Sequence, residues 1–358
     1  MADRDSDLLA WASSAIHQSF SGAHVSRVDA LRGDLSTRRF WRLYLKGAAA
    51  ATSAILIDLG PDELPGYVRA LNLVPHELRE APWLTVHRFL MSRGIAVPAM
   101  YAVDRKHRAM LVEDVGELSL VDAVRREPAE TADLYRTAVE VLLQFHVEGT
   151  RSIPPTLLPA TIAYDARLFR WEFKEFLDLG CAQLGADPSS LTGELDTLAA
   201  ELDRLPRVFS HRDFHGQNLF VQTEDGAIRL RVIDFQDALM APAGQDLAVL
   251  MTTRDTGSLV STTLEQRLLD FYYAGLTRRS AATQSMNEFI RSYRLCVLQH
   301  AIKMMGRFLM FERSGKQGYG VFVPCTIEQS RRMLSGDLRR DFPKLAAAFG
   351  ASKGSSAP

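Results

Sequence analysis

Three side chains near the middle of the chain have types and spacing suited to moving a charged group between oxygens. Asp213 offers a carboxylate that can take a proton from a hydroxyl. Asn218, and Asp234 sixteen residues beyond it, offer oxygen atoms of the kind that hold a hard cation such as Mg²⁺. A base for an attacking hydroxyl, with ligands for an ion that neutralises phosphates, is the set that phosphoryl transfer requires. The same residues, with Gly216, can also be read as turn formers punctuating strands. Two separate halves at matching spacing favour the chemical reading.

The flanking sequence must bring these groups together. Val208 and Phe209 lead in, a polar loop carries His211 to Asn218, and Leu219-Phe220-Val221 leads out. A turn at Glu224-Asp225-Gly226 precedes Leu230-Arg231-Val232-Ile233, which ends on Asp234. This predicts strand, loop, strand, turn, strand, with Asp213, Asn218 and Asp234 at strand ends that converge on one point.

His211-Arg212-Asp213 followed by Asn218 matches the H-R-D-x-x-x-x-N loop of kinases, and Asp234-Phe235-Gln236 stands where kinases carry D-F-G. His211-x-Asp213-x-His215-x-x-Asn218, then Ile233-Asp234-Phe235 and Asp246-Leu247-Ala248, resembles the aminoglycoside phosphotransferase family of small-molecule kinases. Asp234-Phe235-Gln236-Asp237-Ala238, with Arg313-x-Gly315-Lys316-x-Gly318-Tyr319 and Pro324, is similar to its branch of anomeric N-acetylmuramate and N-acetylglucosamine kinases of peptidoglycan recycling. The resemblance spans about residues 8–340 and implies an α+β, two-lobe, protein-kinase-like fold. A small antiparallel nucleotide-binding lobe would occupy residues 1–114. A larger, mostly helical catalytic and acceptor lobe would occupy 115–350, followed by a disordered tail at 351–358.

The resemblance further implies ATP and Mg²⁺ as cofactors and a sugar hydroxyl as acceptor. Asp213 would be the base, Asn218 and Asp234 the metal ligands, and His211 and Asp246 the scaffold of the catalytic loop. Glu172, His215 and Gln236 would meet the acceptor. Gly33, Ser36, Thr37 and Arg38 would lie at the phosphates, and Glu113 and Val115 would hold the adenine through their backbone. For Glu172 the competing reading is a solvated acidic face, and for His215 a structural role. Rival functions are phosphorylation of an aminoglycoside, amino alcohol or other sugar, or nucleotide binding without turnover.

One departure is visible. Residues 53–59 contain no lysine, where kinases place the one that pairs with phosphates, and the helix over 83–93 offers His87 and Arg88 but no glutamate. Losing both partners is coherent, since a buried carboxylate without its cation is costly. Arg38, Arg39 or a second Mg²⁺ remain to neutralise the phosphates.

Composition bounds the partners. In 358 residues, 47% apolar, a net charge of −1 from 42 basic and 43 acidic residues leaves no basic stripe for nucleic acid. Three dispersed cysteines suggest free thiols in a reducing compartment. The N-terminus lacks a signal-peptide profile, and no run approaches the about 18 apolar residues of a membrane span. The expectation is a cytoplasmic monomer that contacts neither membrane nor nucleic acid.

The rest of the chain supplies the frame. A helix is predicted over 6–20, strands over 25–31, 39–45 and 53–59, and a strand pair over 100–104 and 109–113. Helices follow over 132–146, 165–180, 191–205, 245–253, 264–276 and 286–311, read from apolar residues at helical spacing.

Overall fold

The computed structural model describes residues 2–31, 38–48, 51–60, 66–73, 80–224, 226–254 and 256–351. The N-terminal lobe comprises α1 (Ala2–Ser19), β1 (His24–Leu31), β2 (Arg39–Lys46), β3 (Ser53–Asp58), α2 (Pro82–Ser92), β4 (Met100–Asp104) and β5 (Ala109–Glu113). The five strands form one antiparallel sheet in the order β1-β2-β3-β5-β4. Alternation divides its faces. Trp41, Leu43, Leu45, Ala54, Leu56, Ala109 and Leu111 pack with Leu8, Ala12, Ala15 and Ile16 of α1. Ile57, Met110 and Val112 turn the other way, into a core shared with Val86, Phe89 and Leu90 of α2 and with the C-terminal lobe.

The C-terminal lobe contains the longer helices α3 (Leu120–Arg126), α4 (Thr131–Leu143), α5 (Ala166–Glu172), α6 (Pro188–Asp203), α7 (Ala243–Thr252), α8 (Thr262–Arg278), α9 (Met286–Arg313), α10 (Val323–Met333) and α11 (Pro343–Ala351). Four short strands lie between α6 and α7: β6 (Arg207–Ser210), β7 (Leu219–Glu224), β8 (Ala227–Val232) and β9 (Leu239–Pro242). A small sheet lobe followed by a helical lobe is the α+β, kinase-like arrangement anticipated above.

One local expectation is corrected and another is extended. The helix foreseen over 165–180 is α5, capped by the Asp165 side chain on the amides of Arg167 and Leu168, followed by a wide helical turn at Phe176–Gly180. The expected strand, loop, strand, turn, strand order is present as β6, β7 and β8. β7 pairs with β8, whereas β6 pairs with β9, a four-residue strand that periodicity could not reveal. Residues 352–358, nearly all of the expected tail, lie outside the described residues.

Candidate active site

The loop between β6 and β7 is shaped by one carboxylate. Asp246, near the start of α7 and wholly buried, accepts the amide of His211 on Oδ2 and that of Arg212 on Oδ1, both at 2.8 Å. His146 Nε2 lies 3.0 Å from the same Oδ2, with Tyr272 Oη against His146 Nδ1 at 2.6 Å. Burial would raise the Asp246 pKa, but the His146 contact and the positive field overcome it and hold the carboxyl below its ordinary value. The brace matters because Arg212 sits at φ +76°, a conformation that a side-chain-bearing residue adopts only when its surroundings impose it. His211 closes the loop from the other side, its Nε2 3.0 Å from the Ile233 carbonyl.

Past Asp213 the chain turns tightly. The His215 amide donates to the Asp213 carbonyl and the Asn218 amide to the His215 carbonyl, each at 2.9 Å. The Asn218 side chain donates through Nδ2 to the Asp213 carbonyl at 2.9 Å and meets His215 Nε2 at 3.3 Å. Both hydrogens of that amide are thereby engaged, which leaves Oδ1 as the atom for a cation. Burial pushes the His215 imidazole down to about 4, so at neutral pH it is uncharged and can accept from Asn218. Its observed contact is therefore on the Asn218 side of the loop.

Asp234 lies at the end of β8, also left-handed at φ +64°. Its Oδ1 accepts Arg38 Nη2 at 2.8 Å and Gln236 Nε2 at 2.9 Å. Burial pulls its pKa up, and the charge and hydrogen bonds of Arg38 and Gln236 more than reverse this, so the carboxyl stays ionised. An ionised carboxylate surrounded by positive partners, with the free Asn218 Oδ1 on the neighbouring strand, fits a divalent ion that takes its other ligands from phosphates and water. The Gln236 Oε1 is buried without a hydrogen-bond partner.

Across the cleft, the N-terminal lobe solves its charge problem differently from the kinase pattern. Trp83 and His87 of α2 stack at 5.2 Å, and Phe235 leans on both, at 5.1 Å from Trp83 and 6.0 Å from His87. Aromatic packing thus couples α2 to the Asp234 turn where a lysine–glutamate pair would stand. Of the two arginines considered for the phosphates, only Arg38 reaches the cleft. Arg39 belongs to the opposite face, holding Asp58 at 2.7 Å and Asp5 at 2.6 Å, with Arg4 on Asp58 at 2.8 Å. Alternation along β2 makes the difference, since neighbouring residues point to opposite faces. Gly33, Ser36 and Thr37 lie outside the described residues. Glu113 ends β5, with its side chain on the Ala99 amide at 2.9 Å and near Arg231 at 3.4 Å; the Val115 carbonyl accepts Gln222 at 3.4 Å.

Glu172 corrects both of its readings. It is neither a solvated face nor open to an acceptor, because its exposure is 0% and both of its oxygens are occupied. Oε1 takes Arg212 at 3.0 Å and Lys303 at 3.1 Å; Oε2 takes Gln299 at 3.0 Å and the Tyr164 hydroxyl. Burial works against its charge, yet Lys303, Arg212 and Arg307 hold its pKa below the ordinary carboxylate range. It holds Arg212, which also stacks on the Tyr67 ring at 4.0 Å and lies 3.7 Å from Asp237. Burial raises the Asp237 carboxyl to about 6, with Asp213 and Asp234 adding to the rise and Arg212 opposing it. Asp237, Arg212, Lys303 and Tyr67 are thus part of the site, though sequence reasoning gave none of them a role. A basic residue inside the H-R-D triplet and a lone lysine in the apolar run 295–305 were the available signals.

Comparison with known proteins gives the family and the fold. Residues 28–282 match the family described as the phosphotransferase enzyme family. The N-acetylmuramate/N-acetylglucosamine kinase of Caulobacter vibrioides is 26% identical over 344 residues, 87% of this chain and 89% of that protein. The Pseudomonas aeruginosa protein of the same name is 27% identical over 256 residues, 68% of this chain and 70% of its own. Among solved structures, choline kinase from Cryptosporidium parvum superposes with a TM-score of 0.61 over 95% of this chain and 99% of its own, at 12% identity. Plasmodium vivax ethanolamine kinase gives 0.57 over 88% and 85%, at 13% identity; both likenesses speak for the fold. This chain belongs to the phosphotransferase enzyme family and is a kinase-fold enzyme.

Proposed function

We propose that the protein transfers the γ-phosphoryl group of ATP to the anomeric hydroxyl of N-acetylmuramate or N-acetylglucosamine, giving the sugar 1-phosphate and ADP. The observation that carries this reading is one cleft holding Asp213, Asn218 Oδ1, Asp234 and Arg38, in a chain whose relatives over most of its length are kinases of those two sugars. A bond forms between the anomeric oxygen and the γ-phosphorus as the bond from that phosphorus to the ADP oxygen breaks, and the hydroxyl proton passes to Asp213. The anomeric hydroxyl is more acidic than an ordinary alcohol, so a carboxylate suffices as acceptor. Asn218 and Asp234 would hold Mg²⁺, which supplies charge neutralisation at the phosphates. Arg38, released from Asp234 when the ion binds, would turn to the phosphates, joined by the loop of Gly33, Ser36 and Thr37. The Glu113 carbonyl and Val115 amide would pair with adenine. The unpartnered Gln236 Oε1 suits an N–H or hydroxyl donor of the acceptor.

A polycationic amine is the weaker acceptor class, because the wall around Glu172 is lined by Arg212, Lys303 and Arg307. The test is acceptor-dependent ADP release with Mg-ATP. The two N-acetylated sugars should stimulate release, and kanamycin and choline should not. Stimulation by kanamycin or choline alone would refute the assignment of the acceptor.

A further inference from the structure

Helix α9 is mostly interior between Leu295 and Phe308, with Leu295 to Ile302, Met305, Gly306 and Phe308 all buried. Lys303, Met304, Arg307 and Phe311 are not; each is partly exposed. Their spacing puts them on one stripe, with the apolar members packed against the core and the two cations between them and the 171–175 segment. Gly306 fixes its position: a Cβ there would come within 2.4 Å of the Phe176 backbone nitrogen, so α9 lies hard against the 175–176 turn and its charged neighbours are held in place.

The charges on this stripe are not neutralised one for one. Glu172 Oε1 is shared between Arg212 and Lys303, at 3.0 and 3.1 Å. The Arg307 guanidinium stands 5.4 Å over the Trp171 ring, its nearest carboxylate contact is Glu175 at 3.9 Å, longer than a hydrogen bond, and its Nε is buried without an acceptor. Lys303 is only 12% exposed; burial lowers its pKa, with Arg212 and Arg307 adding to the fall and Glu172 and Asp213 opposing it. Glu172 joins Lys303 to Arg212, the residue next to Asp213, so the ammonium lies beside the catalytic loop. Trp171 supplies apolar surface beside Arg307, and one turn further along α9 Phe311 meets Tyr319 at 4.8 Å. A sugar ring with an anionic substituent matches such a wall; a polyamine does not.

We propose that Lys303 and Arg307 form an anion subsite in the acceptor cleft, which receives a carboxylate carried by the amino sugar and sets the preference for an acidic over a neutral acceptor. This rests on the amino-sugar kinase reading above and goes further by assigning the discrimination to two residues. N-acetylmuramate and N-acetylglucosamine are the matched probes, differing by the carboxylate-bearing ether. The experiment measures kcat/KM for both sugars in the wild type, Lys303→Met, Arg307→Met and Arg307→Lys, with melting temperatures alongside. In the two Met variants the ratio of N-acetylmuramate to N-acetylglucosamine efficiency should fall by about 10- to 100-fold, the scale of one charge-assisted contact. The loss should appear mainly in KM for N-acetylmuramate, and Arg307→Lys should retain most of the ratio. Lys303→Met also leaves Glu172 with one cation fewer, so if it fails to fold, Arg307→Met decides. An unchanged ratio, with both efficiencies intact or both reduced alike, would overturn the subsite while leaving the kinase reading in place. A wild type that turns over neither sugar would overturn both.

Discussion

The two walls of the cleft are built on different terms. On the C-terminal side the loop is set by hydrogen bonds to its backbone: Asp246 holds two consecutive amides 34 and 35 positions before it, Asn218 reads the Asp213 carbonyl, and His211 reads Ile233. On the N-terminal side the usual lysine and glutamate are both absent, and an aromatic contact of Trp83 and His87 with Phe235 joins α2 to the Asp234 turn. A positive charge stands instead at Arg38, just before β2, on Asp234. A proton acceptor and metal ligands must stand within tenths of an ångström of the reacting atoms, whereas a charge that neutralises phosphates acts over a longer range and from more than one direction. The first kind of function pins residue and position together; the second lets the residue move.

The largest effect that sharpens this contrast is expected at the base. Asp213→Asn should lower kcat by about 100-fold or more with ATP affinity nearly unchanged. A variant keeping most of wild-type turnover would remove Asp213 from proton transfer and erase the distinction between the walls.

Smaller and more specific is the outcome for the neighbouring arginines. Arg38→Ala should raise KM for ATP about 10-fold, the loss of one charge-assisted contact, with little change in KM for the acceptor. Arg39→Ala should leave KM for ATP alone and cost about 1–2 kcal/mol of stability, since buried Asp58 keeps Arg4 but loses its second cation. Asp58 is held at about 2, against the pull of burial, by those two arginines and the Gly60 amide. Thermal melts and ATP titrations of both variants separate the two roles; exchanged phenotypes would mean the arginines have been assigned to the wrong faces.

The smallest effect is a pH slope. Burial pushes His300 down to about 3, whereas an unfolded histidine titrates near its ordinary 6.5. Between those values the unfolded chain binds the proton more readily, so the contribution is fully present above about 6.5 and is lost as pH falls towards 3. Asp237, raised to about 6, works in the opposite sense over the acid part of that range, so wild type must be compared with variant. The melting temperature of His300→Gln should fall less steeply between pH 7 and pH 5 than that of the wild type. Parallel slopes would show that His300 is not buried in its neutral form.

The same contrast explains what could be read in the sequence. The catalytic loop and the turn after β8 were legible because local hydrogen bonds tie residue type to spacing, and the sheet was legible because its two faces alternate. Glu172 was misread because its surroundings are assembled from afar: Arg212, Gln299 and Lys303 come from 40, 127 and 131 positions away. No window along α5 can show that a carboxylate beside Trp171 will be enclosed by cations from α9 and the catalytic loop. Arg38 and Arg39 were inseparable in the sequence for a simpler reason. They are adjacent, and only the register of β2 decides which one faces the cleft.

The central claim, phosphoryl transfer to the anomeric oxygen, is tested most directly by phosphorus NMR of the product made from N-acetylmuramate or N-acetylglucosamine with Mg-ATP. The product phosphorus should couple to the anomeric proton of the sugar. Coupling to the protons at carbon 6, or no acceptor-dependent phosphorus signal with either sugar, would contradict the account.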